Sequence, residues 1–134
     1  MNYWLVKTEP DTYSWNDLVK DGSTSWDGVR NYAARLHLKG MEKGDKVLVY
    51  HSGGESSVIG IASVQKEHYQ DPTTKDEAWV SVMLKSEKAL KKPVTLAQIK
   101  ADKRLKNMPL VKIGRLSVSP VKEEEFEVIL EMGK

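Results

Sequence analysis

Apolar and polar positions along this chain alternate between a strand-like period of two and the wider period of a helix. Tyr3 to Lys7 alternates aromatic and aliphatic residues and predicts a buried first strand. Thr8-Glu9-Pro10 ends it, because proline cannot donate to a ladder and holds Glu9 extended. A short helix follows. Ser14 and Asp17 have capping-box spacing, Tyr13 and Leu18 can form a hydrophobic staple, and Trp15, Leu18 and Val19 make the apolar stripe up to Asp21-Gly22. Asn31 predicts the N-cap of a second helix, with Leu36 on the helical face and Lys39 in a basic last turn before Gly40 as the residue that ends it.

Beyond the turn Met41-Glu42-Lys43-Gly44-Asp45, the run Lys46 to Ser52 predicts a strand, and Val58 to Val64 a second, joined across Ser52 to Ser56 as a hairpin. Gly60 inside that second strand predicts a bulge or a close backbone approach. His68 to Pro72 is expected to leave the sheet, and Glu77 to Leu84 to form another strand. Thr95 and Gln98 form a capping box for a short helix, with a further helical turn over Asp102 to Met108. Leu116 to Ser119 predicts a last short strand. The final helix carries Phe126, Ile129 and Leu130 on one face, with Glu123, Glu124 and Glu125 favouring its N-terminal dipole. Short strands interspersed with short capped helices, and no internal repeat or linker, predict one α+β domain over residues 1–134, a small curved β-barrel flanked by helices.

Composition narrows the chemistry. The chain has 134 residues and no cysteine, which excludes disulfides, zinc–thiolate sites and a cysteine nucleophile. The N-terminus lacks the basic and apolar regions of a signal peptide and no apolar run reaches membrane-spanning length, so a cytoplasmic protein is expected. The net charge of +2 conceals an asymmetry: Lys85 to Arg115 holds ten basic residues against Glu87 and Asp102. That stretch carries +8 and the remainder −6, which marks Lys100, Lys103, Arg104 and Lys106 as candidate phosphate-binding groups, although a charge run is more often a solvated face.

Catalytic arrangements are mostly removed by subtraction. No P-loop or GxGxxG is present, and the three histidines have no metal-ligand spacing, so no metal and no cofactor are expected. His51 and Ser52 are adjacent on a strand and would point to opposite faces, against a nucleophile–base pair. Glu9 and Asp27 remain as a possible carboxylate pair, which keeps a weakly hydrolytic or small-molecule-binding domain as the alternative. The densest chemistry is Trp26-Asp27-Gly28-Val29-Arg30-Asn31-Tyr32, with a large π face, a hinge glycine, a carboxylate, a guanidinium and an amide within seven residues. A binding reading uses these groups more fully: aromatics stack on bases, amides pair with an extruded base edge, and lysines hold phosphates. On this reading Trp26 faces a solvent-reachable pocket shared with Lys7, Arg30, Asn31 and Ser52, and its truncation costs little stability. If instead Trp26 and Tyr32 are core aromatics, Asp27-Gly28 is only a turn.

Five blocks resemble the EVE domain family in the family's order: Tyr3 to Pro10, Trp26 to Tyr32, Gly44-Asp45 leading to Tyr50-His51-Ser52, Val58 to Ala62, and Gly114 to Val121. The resemblance implies a PUA-like fold similar to YTH domains, which read methylated adenine in RNA. It implies a nucleic-acid reader, with modified cytosine in DNA a leading ligand, and the subtraction of catalytic motifs adds the expectation of no catalysis of its own. Carried over by position, the pocket would comprise Lys7, Thr8, Glu9 and Pro10; Trp26, Asp27, Gly28, Val29, Arg30 and Asn31; Tyr50, His51 and Ser52; and Arg115, Leu116 and Ser117. Two positions depart from the family pattern. Thr8 replaces a usual serine and adds a methyl group, and Lys122 stands where a threonine often caps the last helix.

Overall fold

A computed structural model describes all 134 residues. Six strands form one mixed sheet in the order β2-β5-β4-β3-β1-β6, with β1 Tyr3–Thr8, β2 Ser23–Trp26, β3 Lys46–His51, β4 Ser57–Gln70, β5 Val80–Thr95 and β6 Val118–Val121. Only β1 and β3 run parallel, and the sheet stays open with β2 and β6 at its edges. The five helices are α1 Trp15–Asp21, α2 Tyr32–Gly40, α3 Leu96–Ala101, α4 Pro109–Lys112 and α5 Glu123–Met132, with a 3-10 turn at Lys103–Leu105.

The central strands are apolar at successive positions because both faces of the sheet are covered. Trp4, Val6, Val47 and Val49 enter one apolar cluster with Trp15, Leu18, Ala34 and Leu38 of α1 and α2. Their strand neighbours Leu5, Leu48 and Tyr50 enter a second cluster with Ile99, Leu110, Phe126 and Ile129 of α3, α4 and α5. The one-residue alternation of a strand therefore sorts β1 and β3 between two cores. Buried Asp45 fastens the first of these at its edge, accepting from the Trp4 indole at 2.9 Å and from the backbone amides of Glu42 and Asn2 at 2.9 and 3.1 Å.

The expected caps form. The Ser14 and Asp17 box opens α1, Thr95 and Gln98 open α3, and the Asn31 side chain accepts from Ala34 N at 3.0 Å. At α5, Glu125 accepts from the backbone amide of Lys122, which supplies the reciprocal half of a box without a side-chain oxygen at the cap.

Several boundaries differ from the expectation. Gly40 is the last residue of α2 rather than the residue beyond it, and a Cβ there would lie 3.2 Å from the Trp4 ring, so packing accounts for it. Leu36 sits on the exposed side of its helix. β2 carries no apolar alternation and exists because it pairs with β5, Trp26 opposite Val82. β4 continues to Gln70 and β5 through the lysines to Thr95, since each supplies the other with a ladder despite register shifts. The turn after Asp102 is 3-10, α4 follows Pro at its first position, and β6 starts two residues later than expected.

Gly60 is a close-approach glycine. It pairs with Val49 and Ala89, and a Cβ on it would fall 2.6 Å from the buried Trp15 ring. Gly60→Ala should therefore force α1 off the sheet and cost about 1–3 kcal/mol, a loss measurable by urea denaturation.

Candidate nucleic-acid interface

β1 and β3 end side by side at Thr8 and His51, and two cavities open around those ends. The first encloses about 620 Å³. Its wall joins the end of β1 (Lys7, Thr8), the approach to α1 (Thr12, Tyr13), β2 and the loop after it (Thr24 to Asn31), and Ser117. The second, about 510 Å³, is lined by Glu9, Tyr50, Ser52, Ser56, Lys100 and residues of α3 and α4. Lys7, Thr8 and Ser117 belong to both and form the partition. The Lys7 amide donates to Ser117 O at 2.9 Å and its Nζ to Gly114 O at 2.8 Å, with Nζ 5.8 Å from the Tyr50 ring centre. Burial lowers the Lys7 pKa from the ordinary lysine value.

Trp26 closes the first cavity from the core side. It is 8% exposed, belongs to the cluster under α1 and α2, and meets Tyr13 edge to face at 6.2 Å. The expectation of a loop tryptophan turned away from the core is corrected: Trp26 ends a strand and is at once core and cavity wall. Its truncation would cost a core-like amount, about 3 kcal/mol, rather than little. The Tyr13 hydroxyl donates to Asp21 at 2.7 Å, and burial together with that carboxylate pushes its pKa up to about 12.

The loop between β2 and α2 is shaped by a residue outside every motif. Asp71 is fully buried. Its Oδ2 accepts from the Gly28 amide at 2.8 Å and from Arg30 Nη1 at 2.9 Å, and its Oδ1 accepts from the Thr73 amide and hydroxyl at 2.7 and 2.6 Å. Gly28 has φ +75°, a left-handed conformation that glycine reaches without steric cost. Burial alone would raise the Asp71 pKa, but the Arg30 and Thr73 side chains and the two amides outweigh it and hold the carboxyl well below its usual range. Asp27, exposed at the same cavity, is shifted the other way. Burial raises its pKa, the Asp71 charge adds to that, and Arg30 opposes it.

A model of the EVE domain matches residues 2–132. The chain belongs to the EVE domain family. Human thymocyte nuclear protein 1 is 31% identical over 165 aligned positions that cover 98% of this chain and 73% of the relative. A crystal structure of an Agrobacterium tumefaciens protein matches at TM-score 0.97 and 40% identity, covering 99% of this chain and 93% of the other. The structure of human THYN1 protein in complex with 5-methylcytosine-containing DNA matches at TM-score 0.93 and 30% identity, covering 100% and 98%. An ASCH protein of Zymomonas mobilis, 10% identical with TM-score 0.63, shares the fold alone. The α+β fold of this EVE domain is thus PUA-like, with its sheet open.

Not every residue carried over by resemblance faces a cavity of the EVE domain. Lys7, Thr8, Trp26 to Asn31 and Ser117 line the first, while Glu9, Tyr50 and Ser52 line the second. Ser52 is therefore not in the cavity of Trp26, and Glu9 and Asp27 face different cavities, against the carboxylate pair expected as the alternative. Pro10 is exposed in a turn, Arg115 is exposed and Leu116 is core. His51 caps a helix: its Nε2 accepts from the Trp15 amide at 2.9 Å, and burial lowers its pKa, keeping the ring neutral as that acceptor role requires. Among the phosphate candidates, Arg104 is committed to Asp102 through Nε and Nη2 at 3.0 and 2.7 Å, Lys103 and Lys106 are exposed, and Lys100 lines the second cavity.

Thr12, Thr24, Ser25 and Asp71 carried no sequence signal. The hydroxyls reach the cavity only through the β2–β5 pairing, and Asp71 lies beyond a strand that was expected to have ended. Asp71→Asn would set an amide NH2 either against both Gly28 N–H and Arg30 or against Thr73 N–H, and should cost about 2 kcal/mol near neutral pH, the exposure of Arg30 moderating the loss. Because the folded pKa is depressed, the stabilisation is fully present above the ordinary carboxylate value and is lost as pH falls through the folded one. The gap between wild type and variant in denaturant midpoint should hold at pH 5–7 and narrow below about pH 4.

Proposed function

We propose that this EVE domain reads a modified base, taking an extruded nucleotide into the first cavity without catalysis of its own. The observation that carries the reading is the cavity's wall: a fixed tryptophan beside polar groups whose remaining hydrogen-bonding capacity is of both signs. Asn31 spends its side-chain oxygen on Ala34 N, so its NH2 is left to donate. Asp27 makes no side-chain hydrogen bond to any other residue, only a weak one to its own backbone amide, and is left to accept. A cytosine edge offers the complement, an N4 amine that donates and ring N3 and O2 that accept. The human relative's complex with 5-methylcytosine DNA supports the same base class for this chain.

Binding of DNA oligonucleotides carrying 5-methylcytosine or plain cytosine, followed by fluorescence anisotropy, tests this. The protein should prefer the modified strand. Asp27→Asn should weaken both while leaving the fold intact, and Trp26→Phe, which keeps the core filled better than alanine, should reduce the preference. Equal affinity for the two oligonucleotides rejects the reading, and turnover of either one transfers the domain to an enzyme class with Asp27 as acid or base.

Phosphate binding is proposed for Lys100, Lys103 and Lys106. Replacing all three with glutamine should weaken modified and plain strands alike and flatten the salt dependence, whereas Arg104→Gln should change it less because Asp102 already compensates that charge. An unaltered salt slope in the triple variant, measured over a salt series, makes the segment a solvated face.

A further inference from the structure

Outside both cavities, Tyr32 and Trp79 stack with ring centres 5.1 Å apart and planes at 35°. Two guanidinium groups border them. Arg35 lies 4.9 Å from the Tyr32 centre and 5.8 Å from that of Trp79, and Arg30 lies 5.5 Å from Trp79. Arg30 is also a wall of the first cavity, so the stack begins at that cavity's rim.

Part of this cluster fastens the segment after Asp71 to α2. Arg35 Nη1 donates to Ala78 O at 2.9 Å, and Trp79 is half-buried. Fastening does not account for the rest. Tyr32, at the first position of α2, is 65% exposed, its hydroxyl has no hydrogen bond in the protein, and much of its ring is open to solvent. Arg35 forms none of the protein's ion pairs, and its buried Nε has no partner. Of the acids on the segment, Asp76 is turned onto the Ala78 amide at 2.9 Å. The surface is thus an open aromatic face beside an uncompensated, positionally fixed guanidinium.

Resting on the base-reading function of the first cavity, we infer that Tyr32, Trp79 and Arg35 form a second nucleotide subsite, for the residue flanking the extruded base on the same strand. That nucleotide's base stacks on the outward face of Tyr32, and Arg35 offers its charge to the adjoining phosphate. Every base has a π face, so this subsite adds affinity without adding base identity, and the cavity alone supplies discrimination. A strand whose nucleotide enters the cavity must leave across its rim, where Arg30 joins the two places.

The test uses the full chain and a single-stranded DNA of about ten nucleotides, long enough to reach past one base, with 5-methylcytosine or cytosine at its centre. Tyr32→Ala should bind both strands about tenfold more weakly, leave their affinity ratio unchanged and leave the denaturation midpoint near wild type; Tyr32→Phe should bind like wild type. Arg35→Gln should lower the slope of log affinity against log salt by about one. Tyr32→Ala binding within twofold of wild type, or changing the ratio rather than both affinities, overturns the subsite while the cavity reading stands. A wild-type protein that binds the two strands equally overturns the cavity reading, and the flanking subsite falls with it.

Discussion

Asp71 is a carboxylate removed entirely from water, and it remains ionised because four donors converge on it. Burying such a charge without partners would be costly enough to neutralise it or exclude it from the fold. Here the donors come from two distant parts of the chain, the loop after β2 and the turn after β4. Satisfying one buried charge therefore sets the path of Gly28, the direction of Arg30 and the distance between loop and turn. The cavity beside Trp26 takes its outline from that loop. Asp71 also acts at range, its charge helping to raise the pKa of Asp27 at the cavity wall.

The second constraint is the sheet's two covered faces. With α1 and α2 on one side and α3, α4 and α5 on the other, neither face of β1 or β3 can be polar until the strands end. The first polar side chains past the cores are Lys7 and Thr8, and both cavities open there. A binding site at the end of the parallel pair is where the cores stop, and two cavities share a partition because two cores flank one sheet. Trp26 combines the constraints, contributing to the core with one part of its ring system and to the cavity with another.

Charge is distributed by the same logic. The basic stretch is a strand tail, a short helix and a 3-10 turn rather than one continuous patch, and one of its arginines is neutralised by its own N-cap, Asp102. Arg30 and Arg35, which lie outside that stretch, are held by hydrogen bonds and aromatic rings beside the first cavity. A count of charges along the chain locates the lysines but not the two fixed guanidinium groups.

The sequence by itself determined the elements whose signals are local. The caps at Ser14, Asn31 and Thr95 need only neighbours three residues away, the apolar runs of β1 and β3 announce buried strands, and Gly60 announces a bulge or a close approach, both of which the sheet shows there. The family was legible for a related reason: Trp26 to Tyr32 concentrates its chemistry in seven consecutive residues, from the end of β2 to the start of α2, so its order survives in the linear text. Tertiary structure alone decided the rest. β2 and the lysine-rich end of β5 have no strand pattern of their own and exist because each finds a ladder partner far along the chain. Asp71 reaches Gly28 and Arg30 only after β4 and β5 fold back, and Tyr32 meets Trp79 by the same closure. Whether Trp26 was core or pocket had no answer in the sequence, because both descriptions hold once β2 lies against β5.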